Sequence, residues 1–282
     1  MNKSGLNFEA IRHVVDYALK EDVGSGDITT NLLIPINLQD KATMVAKSSG
    51  IIAGLFVAEY VFRTLCPKIK WKPFVNDGDI VAKGDTILEI TGLYRALLTG
   101  ERLALNFMQR MSGIATMTHS YVKELEGYKT KILDTRKTAP GLRLLDKYAV
   151  MIVSGRNHRI GLYDMVLIKD NHIKVAGGIS KAVAQIKENL PHGIKIEVET
   201  TSIEEVKEAL AAEVDIIMLD NMTINTMAES VKIIGGRTKI EASGNITFEG
   251  LREVAATGVD FISIGALTHS VTAFDISMNI EN

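Results

Sequence analysis

Six short apolar runs, rich in β-branched residues, recur through the second half of the chain, and five of them end in a polar residue or glycine. The runs cover residues 131–134, 165–169, 195–199, 216–220, 239–242 and 261–265. Segments with apolar positions three and four residues apart separate them, and Ser202 and Thr247 are suitable N-caps for two of these helices. Strands that alternate with helices predict a parallel sheet with short connections.

The repeating region is too short for a complete barrel. It has roughly 140 residues, whereas an eight-unit β/α barrel has roughly 250. We therefore expect an α/β protein whose residues 114–270 form an open or irregular β/α barrel. In that architecture the chemistry lies where the strands end. The polar residues at these ends are Arg136, Lys137, Lys169, Glu199, Asp220, Ser243 and Gly265. Any one of them could instead be a solvated strand end.

The first half has a different pattern. Helices are expected over residues 8–20 and 55–65, with strands near 41–47 and 71–74, which indicates a separate α+β domain over residues 1–113. The C-terminal tail, residues 271–282, is expected to pack with it. Gly78 and Gly84 punctuate two alternating strands, and this pattern resembles the hairpins that carry lipoate or biotin. Lys83 lacks the exposed-tip signature of a modified lysine, but a noncatalytic carrier remains an alternative.

Composition narrows the function classes. The formal net charge of -2 gives no global field for binding nucleic acid or anionic lipid, so an anionic substrate needs a local cluster of bases. The single cysteine, Cys66, has apolar neighbours and indicates a packed thiol in a reducing cytoplasm. The N-terminus shows no secretion signal, and the most apolar stretch, residues 50–62, is too short to cross a bilayer. We expect neither membrane insertion nor nucleic-acid binding.

Basic residues cluster between positions 131 and 173. The cluster comprises Arg136, Lys137, Arg143, Lys147, Arg156, His158, Arg159 and Lys169. Several lie where a buried strand ends, and a buried cation needs an anionic partner. Arginine suits a planar carboxylate through its two-pronged fork, so the cluster favours a dicarboxylate ligand. Internal ion pairs are the alternative, with Asp134, Asp146, Asp164 and Asp170 as partners.

Acidic and small residues end the later strands. Glu199 and Asp220 end neighbouring strands, and such oxygen ligands suit Mg²⁺ or ribose hydroxyls. Each acid could also simply pair with a neighbouring lysine. The loops after the last strands contain small residues that let backbone amides approach a phosphate, although either loop alone could be a simple turn. The phosphate candidates are Ser243, Gly244, Asn245, Gly265 and Ala266.

Seven blocks follow one another across nearly the whole chain: EDVGSGDIT at 21–29, ERLALNFMQRMSGIAT at 101–116, LDTRKTAPGLR at 133–143, NHRIGLYDMVLIKDNHI at 157–173, EVET at 197–200, MLDNM at 218–222 and EASGNI at 241–246. Together, and in this order, they resemble bacterial quinolinate phosphoribosyltransferases. The resemblance implies an N-terminal sandwich, an open α/β barrel, and a homodimer in which one subunit's first domain covers the other's barrel.

The resemblance also implies residue roles. Quinolinate would be bound by Arg136, Lys137, His158, Arg159 and Lys169, with Arg102 supplied by the partner subunit. The full substrate-binding set adds Thr135, Glu199, Asp220, Ser243, Gly244, Asn245, Ile264, Gly265, Ala266 and His269. Within it, Lys137, Lys169, Glu199 and Asp220 are the candidate catalytic residues, and Glu199 and Asp220 would face Mg²⁺. One departure is visible, because the family commonly has a run of glycines where this chain has Val153-Ser154-Gly155.

The implied reaction transfers phosphoribose from phosphoribosyl pyrophosphate to quinolinate. Carbon dioxide and pyrophosphate are released, and nicotinate mononucleotide is formed for NAD synthesis. A pyridine nitrogen is already a nucleophile, so no catalytic triad is needed. A related phosphoribosyltransferase that uses another acidic base without decarboxylation is the alternative.

Overall fold

The structure, a computed structural model, describes residues 8–281. Its helices are α1 (Phe8–Val23), α2 (Ile28–Leu33), α3 (Leu55–Leu65), α4 (Tyr94–Glu124), α5 (Arg143–Met151), α6 (Asp170–Ala176), α7 (Ile179–Asn189), α8 (Ile203–Ala211), α9 (Ile224–Ile234), α10 (Leu251–Ala256) and α11 (Ala266–His269). Its strands are β1 (Gln39–Ala46), β2 (Gly50–Ile51), β3 (Lys70–Pro73), β4 (Ile80–Val81), β5 (Thr86–Leu93), β6 (Lys131–Leu133), β7 (Val166–Ile168), β8 (Ile196–Thr200), β9 (Ile216–Asp220), β10 (Lys239–Ser243), β11 (Phe261–Ser263) and β12 (Ile276–Ile280).

Backbone contacts divide the chain into two compact units. The first unit comprises Met1–His119, Thr138–Ser154 and Leu267–Asn282, and the second comprises Ser120–Lys137 and Gly155–Ala266. The six short apolar runs of the sequence all lie within the second unit.

An antiparallel sheet with strand order β12-β1-β5-β3 organises the first unit. The apolar face of α3 contributes Val57, Val61 and Phe62 to its core, all without solvent exposure. The predicted hairpin is wrong in its pairing, because β4 pairs with β2 whereas β5 pairs with β1 and β3. Alternation of apolar residues predicts that strands form but not which strands pair. In the structure the turn between β4 and β5 connects two separate sheets.

A parallel sheet with strand order β6-β11-β10-β9-β8-β7 organises the second unit. All six predicted runs are confirmed as its strands. Buried isoleucine, valine and leucine side chains fill the strands, as a sheet covered on both faces requires. The edge strands are β6 and β7, and no ladder joins them within residues 8–281. The barrel is therefore open, and the carboxyl ends of its parallel strands lie along one edge of the sheet.

The two predicted helix caps had different outcomes. Ser202 caps α8, where its side chain accepts a hydrogen bond from the Glu205 N–H at 3.2 Å. Thr247 does not cap α10, which starts only at Leu251 with Gly250 at the N-cap position. Residues 248–250 form a turn before the helix begins, so the threonine lies too far upstream to reach the helical N–H groups.

Two further expectations concern burial and membranes. Cys66 is buried, as expected for a packed thiol. Among residues 8–281, none of the helices combines the length and apolarity that a membrane span requires.

Candidate active site

Arg136 and Arg159 bring two positive charges together in the second unit. Arg136 follows β6, and both side chains are half-buried. Arg159 Nη1 donates a hydrogen bond to the Met165 carbonyl at 3.2 Å. Burial, and then the positive charge of Arg136, lower the pKa of the Arg159 guanidinium. Like charges at a partly desolvated position are stabilised by an anion, so this pair has the electrostatics of a carboxylate-binding site.

The segment that carries these arginines is held by local hydrogen bonds. The Lys137 N–H donates to Thr135 Oγ1 at 3.0 Å, and the Lys137 side chain is exposed. The His158 N–H donates to Oδ1 of Asp134, a carboxylate without solvent exposure, at 2.8 Å. These bonds tie the chain after β6 to the segment that contains Arg159.

The His158 imidazole is engaged within the protein at both ring nitrogens. Nδ1 accepts a hydrogen bond from the Arg159 N–H at 2.7 Å, and Nε2 lies 3.0 Å from Glu197 Oε2. A second carboxylate oxygen, Glu241 Oε2, lies 3.6 Å from Nε2. In this arrangement the ring contacts the protein's own groups, whereas the resemblance implies a contact with quinolinate.

Lys169 and Glu199 form an ion pair across adjacent strand ends. Lys169 Nζ lies 2.7 Å from Glu199 Oε2, and the lysine side chain is 47% exposed. Pairing with a neighbouring lysine was one of the alternatives that the sequence analysis gave for Glu199. An exposed lysine can exchange partners at little cost, so the pair leaves both groups available to a ligand.

Asp220 and the loops after β9 and β10 form one connected group. The Asn221 N–H donates to the Ser243 carbonyl at 2.9 Å, and Asn245 Nδ2 donates to Asn221 Oδ1 at 3.0 Å. Asn221 Nδ2 also donates to Asp220 Oδ2 at 2.8 Å. Gly244 has φ +94°, and a Cβ there would collide with the Asn221 side chain. Only glycine fits, and its backbone is left open to close approach.

The remaining phosphate candidates follow β11. Ile264 is buried, and its N–H donates to the Leu133 carbonyl at 2.9 Å, which fixes it to the neighbouring strand. Gly265 follows it and is half-buried. Ala266 begins α11. The structure thus places the two small residues directly after a strand end, as the sequence predicts.

Two predicted site residues belong to the first unit. Arg102 is exposed on α4. His269 is exposed at the end of α11, with Nδ1 2.7 Å from Ser270 Oγ. The second unit therefore brings together the other members of the predicted set along its strand ends.

The sequence interpretation missed two acids, Glu197 and Glu241. Both carboxylates have 0% exposure and lie in the middle of β8 and β10. Burial raises the pKa of both, and in Glu241 the charge of Glu197 adds to that rise. A signal was present, because the same letters KIE open both runs and place a glutamate inside an otherwise apolar strand. Asn221 was also missed, although it lies inside a quoted block.

Family models cover nearly all of the chain. Residues 27–112 match the model for quinolinate phosphoribosyl transferase, N-terminal domain, and residues 114–279 match the model for its C-terminal domain. Similar curated proteins include quinolinate phosphoribosyltransferase [decarboxylating] 2b, mitochondrial, from Nicotiana tabacum, at 46% identity over 96% of this chain and 82% of the relative. A probable nicotinate-nucleotide pyrophosphorylase [carboxylating] from Synechocystis is 47% identical over 93% of this chain and 90% of the relative.

Solved structures show the same similarity. The crystal structure of NadC from Streptococcus pyogenes has a TM-score of 0.94 and 43% identity, with 97% of each chain covered. The nicotinate-nucleotide pyrophosphorylase from Francisella tularensis has a TM-score of 0.94 and 41% identity, covering 99% of this chain and 98% of that one. The similarity extends over both units of the chain.

Proposed function

The chain belongs to the quinolinate phosphoribosyltransferase family, and we propose that it transfers phosphoribose from phosphoribosyl pyrophosphate to quinolinate. The products are nicotinate mononucleotide, carbon dioxide and pyrophosphate, and the reaction serves NAD biosynthesis. One observation carries the proposal. The half-buried guanidiniums of Arg136 and Arg159 lie close enough to lower the pKa of Arg159, and an anionic substrate relieves their repulsion.

The proposed substrate has two carboxylates, which suits a set of several cations. Arg136 and Arg159 are placed to bind carboxylate through paired N–H donors. Lys137 and Lys169 are exposed and supply point charges. His158 supports this set through its hydrogen bond to the Arg159 backbone. A monocarboxylate such as nicotinate would leave part of the positive charge uncompensated.

The chemistry follows from the substrate. The pyridine nitrogen forms a bond to C1 of the ribose while the bond from C1 to pyrophosphate breaks, so the enzyme must orient the two and stabilise an oxocarbenium-like transition state. The alkylated nitrogen is then positive. Its charge stabilises the electron pair left on C2 when the adjacent carboxylate leaves as CO₂, and that pair then takes up a proton.

We propose Glu199 and Asp220 as the residues that face ribose and hold Mg²⁺ with the donor's pyrophosphate. They end adjacent strands, and Mg²⁺ takes one or two carboxylates together with substrate phosphates. The ion supplies charge neutralisation for the leaving group. The small residues of the following loops, Gly244 and Gly265, are proposed to bind phosphate through backbone amides.

A direct assay tests the function. The purified protein is incubated with quinolinate, phosphoribosyl pyrophosphate and Mg²⁺, and nicotinate mononucleotide, CO₂ and pyrophosphate are quantified. We expect the three products in equal amounts. Nicotinate is the control substrate, and its turnover at comparable efficiency would contradict the assignment to a dicarboxylate.

We further propose a homodimer in the cytoplasm whose sites are completed by Arg102 of the partner subunit. An apolar surface on the first unit supports an interface. Ile28, Leu32 and Leu33 on α2 are 73%, 84% and 74% exposed. Neighbouring apolar side chains with such exposure are typical of surfaces that become covered by another protein. Buried Cys66 is compatible with a reducing compartment.

Subunit mixing tests the shared site. Arg102→Ala and Lys169→Ala homodimers should each be nearly inactive. In a mixture, about half of the dimers are heterodimers, and about a quarter of all sites regain both cations by two-fold symmetry. Activity should therefore recover. The matched control mixes Arg136→Ala with Lys169→Ala, two changes within one unit, which restores no site. Verified subunit exchange without recovery in the first mixture would refute the shared site.

A further inference from the structure

The buried cluster of His158, Glu197 and Glu241 has a defined tautomer. Because His158 Nδ1 accepts the Arg159 N–H, the proton of a neutral imidazole lies on Nε2. The Nε2 nitrogen that carries it lies beside the two carboxylates, 3.0 Å from Glu197 Oε2 and 3.6 Å from Glu241 Oε2. The three groups are spaced closely enough to be metal ligands. A protonated Nε2 has no lone pair to offer, so this arrangement does not suit a metal ion.

The two carboxylates do little for the stability of the sheet. No hydrogen bond of good geometry reaches any of the four buried oxygens within residues 8–281, and His158 Nε2 is the nitrogen that lies beside them. Buried carboxylates without hydrogen bonds destabilise a fold, and apolar side chains of similar size would pack into β8 and β10 at lower cost. The presence of the two carboxylates is therefore better explained by their effect on the neighbouring His158 side chain than by a contribution to stability.

His158, which lies beside both carboxylates, contacts the chain next to Arg136 and Arg159. The His158 ring accepts from the Arg159 N–H, and the His158 N–H donates to Asp134, two residues before Arg136. A flipped ring would place Cδ2–H against the Arg159 N–H, and the other tautomer would place an N–H there; either change breaks the bond. The ring orientation thus controls the backbone from which the Arg159 guanidinium projects.

We propose that Glu197 and Glu241 are positioning residues for quinolinate binding, which fix the His158 imidazole and through it the placement of Arg159. This inference rests on the proposed function. It predicts that loss of the carboxylate weakens quinolinate binding while use of the phosphoribosyl donor is retained, because the donor is assigned to other strand ends.

The test uses two substitutions at one position and a control elsewhere. Glu197→Gln keeps an oxygen beside Nε2, whereas Glu197→Leu removes both oxygens at similar volume. Asp215→Ala is the control, because it removes a carboxylate that accepts from the Ile196 N–H at the amino end of β8, away from the carboxyl strand ends of the candidate site. Steady-state KM values are measured for both substrates. The His158 tautomer is read from ¹⁵N spectra of histidine-labelled protein without substrate, with the signal assigned by its loss in His158→Gln.

We expect the wild type and Glu197→Gln to show the Nε2–H tautomer. Glu197→Leu should lose that signature and raise the quinolinate KM by roughly tenfold or more, as loss of an orienting partner does at other sites. The KM for the donor should stay near wild type in all variants. Glu197→Gln should restore most of the quinolinate affinity, which a purely structural role at this position would not require.

Three results would overturn the inference alone: a wild-type proton on Nδ1, a quinolinate KM in Glu197→Leu no higher than in Asp215→Ala, or an equal rise in both KM values. The wild-type spectrum requires no Glu197 variant, so the inference can fail even if Glu197→Leu does not fold. A wild type that does not turn over quinolinate at all would overturn the proposed function and this inference with it.

Discussion

Asp146 in the first unit and Glu241 in the second are both carboxylates with 0% exposure, yet their surroundings differ completely. Asp146 accepts two hydrogen bonds from Arg110, at 2.9 and 2.7 Å, and a third from the Ala139 N–H at 3.3 Å. No hydrogen bond of good geometry reaches either oxygen of Glu241 within the described residues, and the Glu197 carboxylate lies beside it. Hydrogen bonds offset the cost of burying Asp146, which therefore supports the fold. The burial of Glu241 destabilises the protein, and functional sites often contain such unfavourable groups.

The largest effect should follow from breaking the compensated pair. Arg110→Ala leaves the Asp146 charge buried without its main partner, so the free energy of unfolding should fall by about 3 kcal/mol. Denaturant titration measures this loss. The control is the double variant Arg110→Met with Asp146→Asn, which removes both charges and should recover part of the loss. A decrease below about 1 kcal/mol would place Arg110–Asp146 among weak surface pairs.

The uncompensated acid should respond to pH instead. Burial, and then the charge of Glu197, raise the pKa of Glu241 from 4.5 to about 8, while His158 and Ser263 act in the opposite direction. The folded state therefore binds more protons than the unfolded state between these values, and stability falls as pH rises through that window. Glu241→Gln cannot ionise, so its stability relative to wild type should increase by about 1–3 kcal/mol between pH 5 and pH 8.5.

Denaturation at both pH values checks the change. Glu204→Gln is the control, because Glu204 is exposed on α8 and should keep the wild-type pH profile. An unchanged difference between wild type and Glu241→Gln across the range would show that Glu241 is not held in its neutral form.

Arg136→Ala should separate activity from stability. Loss of one charge-assisted contact to a carboxylate costs roughly 1.5–3 kcal/mol, so quinolinate turnover should fall by at least about tenfold. The same loss is expected for Lys137→Ala. Stability should change little in Arg136→Ala, because relief of the repulsion with Arg159 opposes the loss of the other contacts of Arg136. Arg252→Ala, an exposed arginine paired with Glu124, is the matched control and should keep wild-type kinetics. Wild-type kinetics in Arg136→Ala would remove that residue from the site.

The sequence predicts the second unit better than the first for a physical reason. Each strand of a parallel sheet buried on both faces is a continuous apolar run, so position and type follow from local pattern. Strand partners in the first unit depend on distant segments, which is why the pairing of β4 was missed. The strand-end residues of the candidate site were predictable because parallel strands share one edge. Glu197 and Glu241 were not, since an acid inside a strand has no explanation until its neighbours are known.

The backbone at Ser154 allows a test of whether local strain lowers stability and contributes to substrate binding. Its φ is +69°, a left-handed conformation that disfavours any residue with a Cβ, and it lies in the Val153-Ser154-Gly155 segment where glycines are common in the family. Ser154→Gly removes this strain but gives the unfolded chain more freedom, so the net gain in stability should be about 0.5 kcal/mol.

Ser180→Gly is the control for Ser154→Gly, because Ser180 lies in α7, where glycine should instead cost about 0.5 kcal/mol. Denaturation of both variants gives the two signs. The KM for quinolinate in Ser154→Gly then shows whether the strain has a role in the site. A rise in KM together with the gain in stability would show that the strained turn helps to set the segment carrying His158 and Arg159. An unchanged KM would show that the strain has no role in quinolinate binding. A loss of stability in Ser154→Gly would contradict the strain itself.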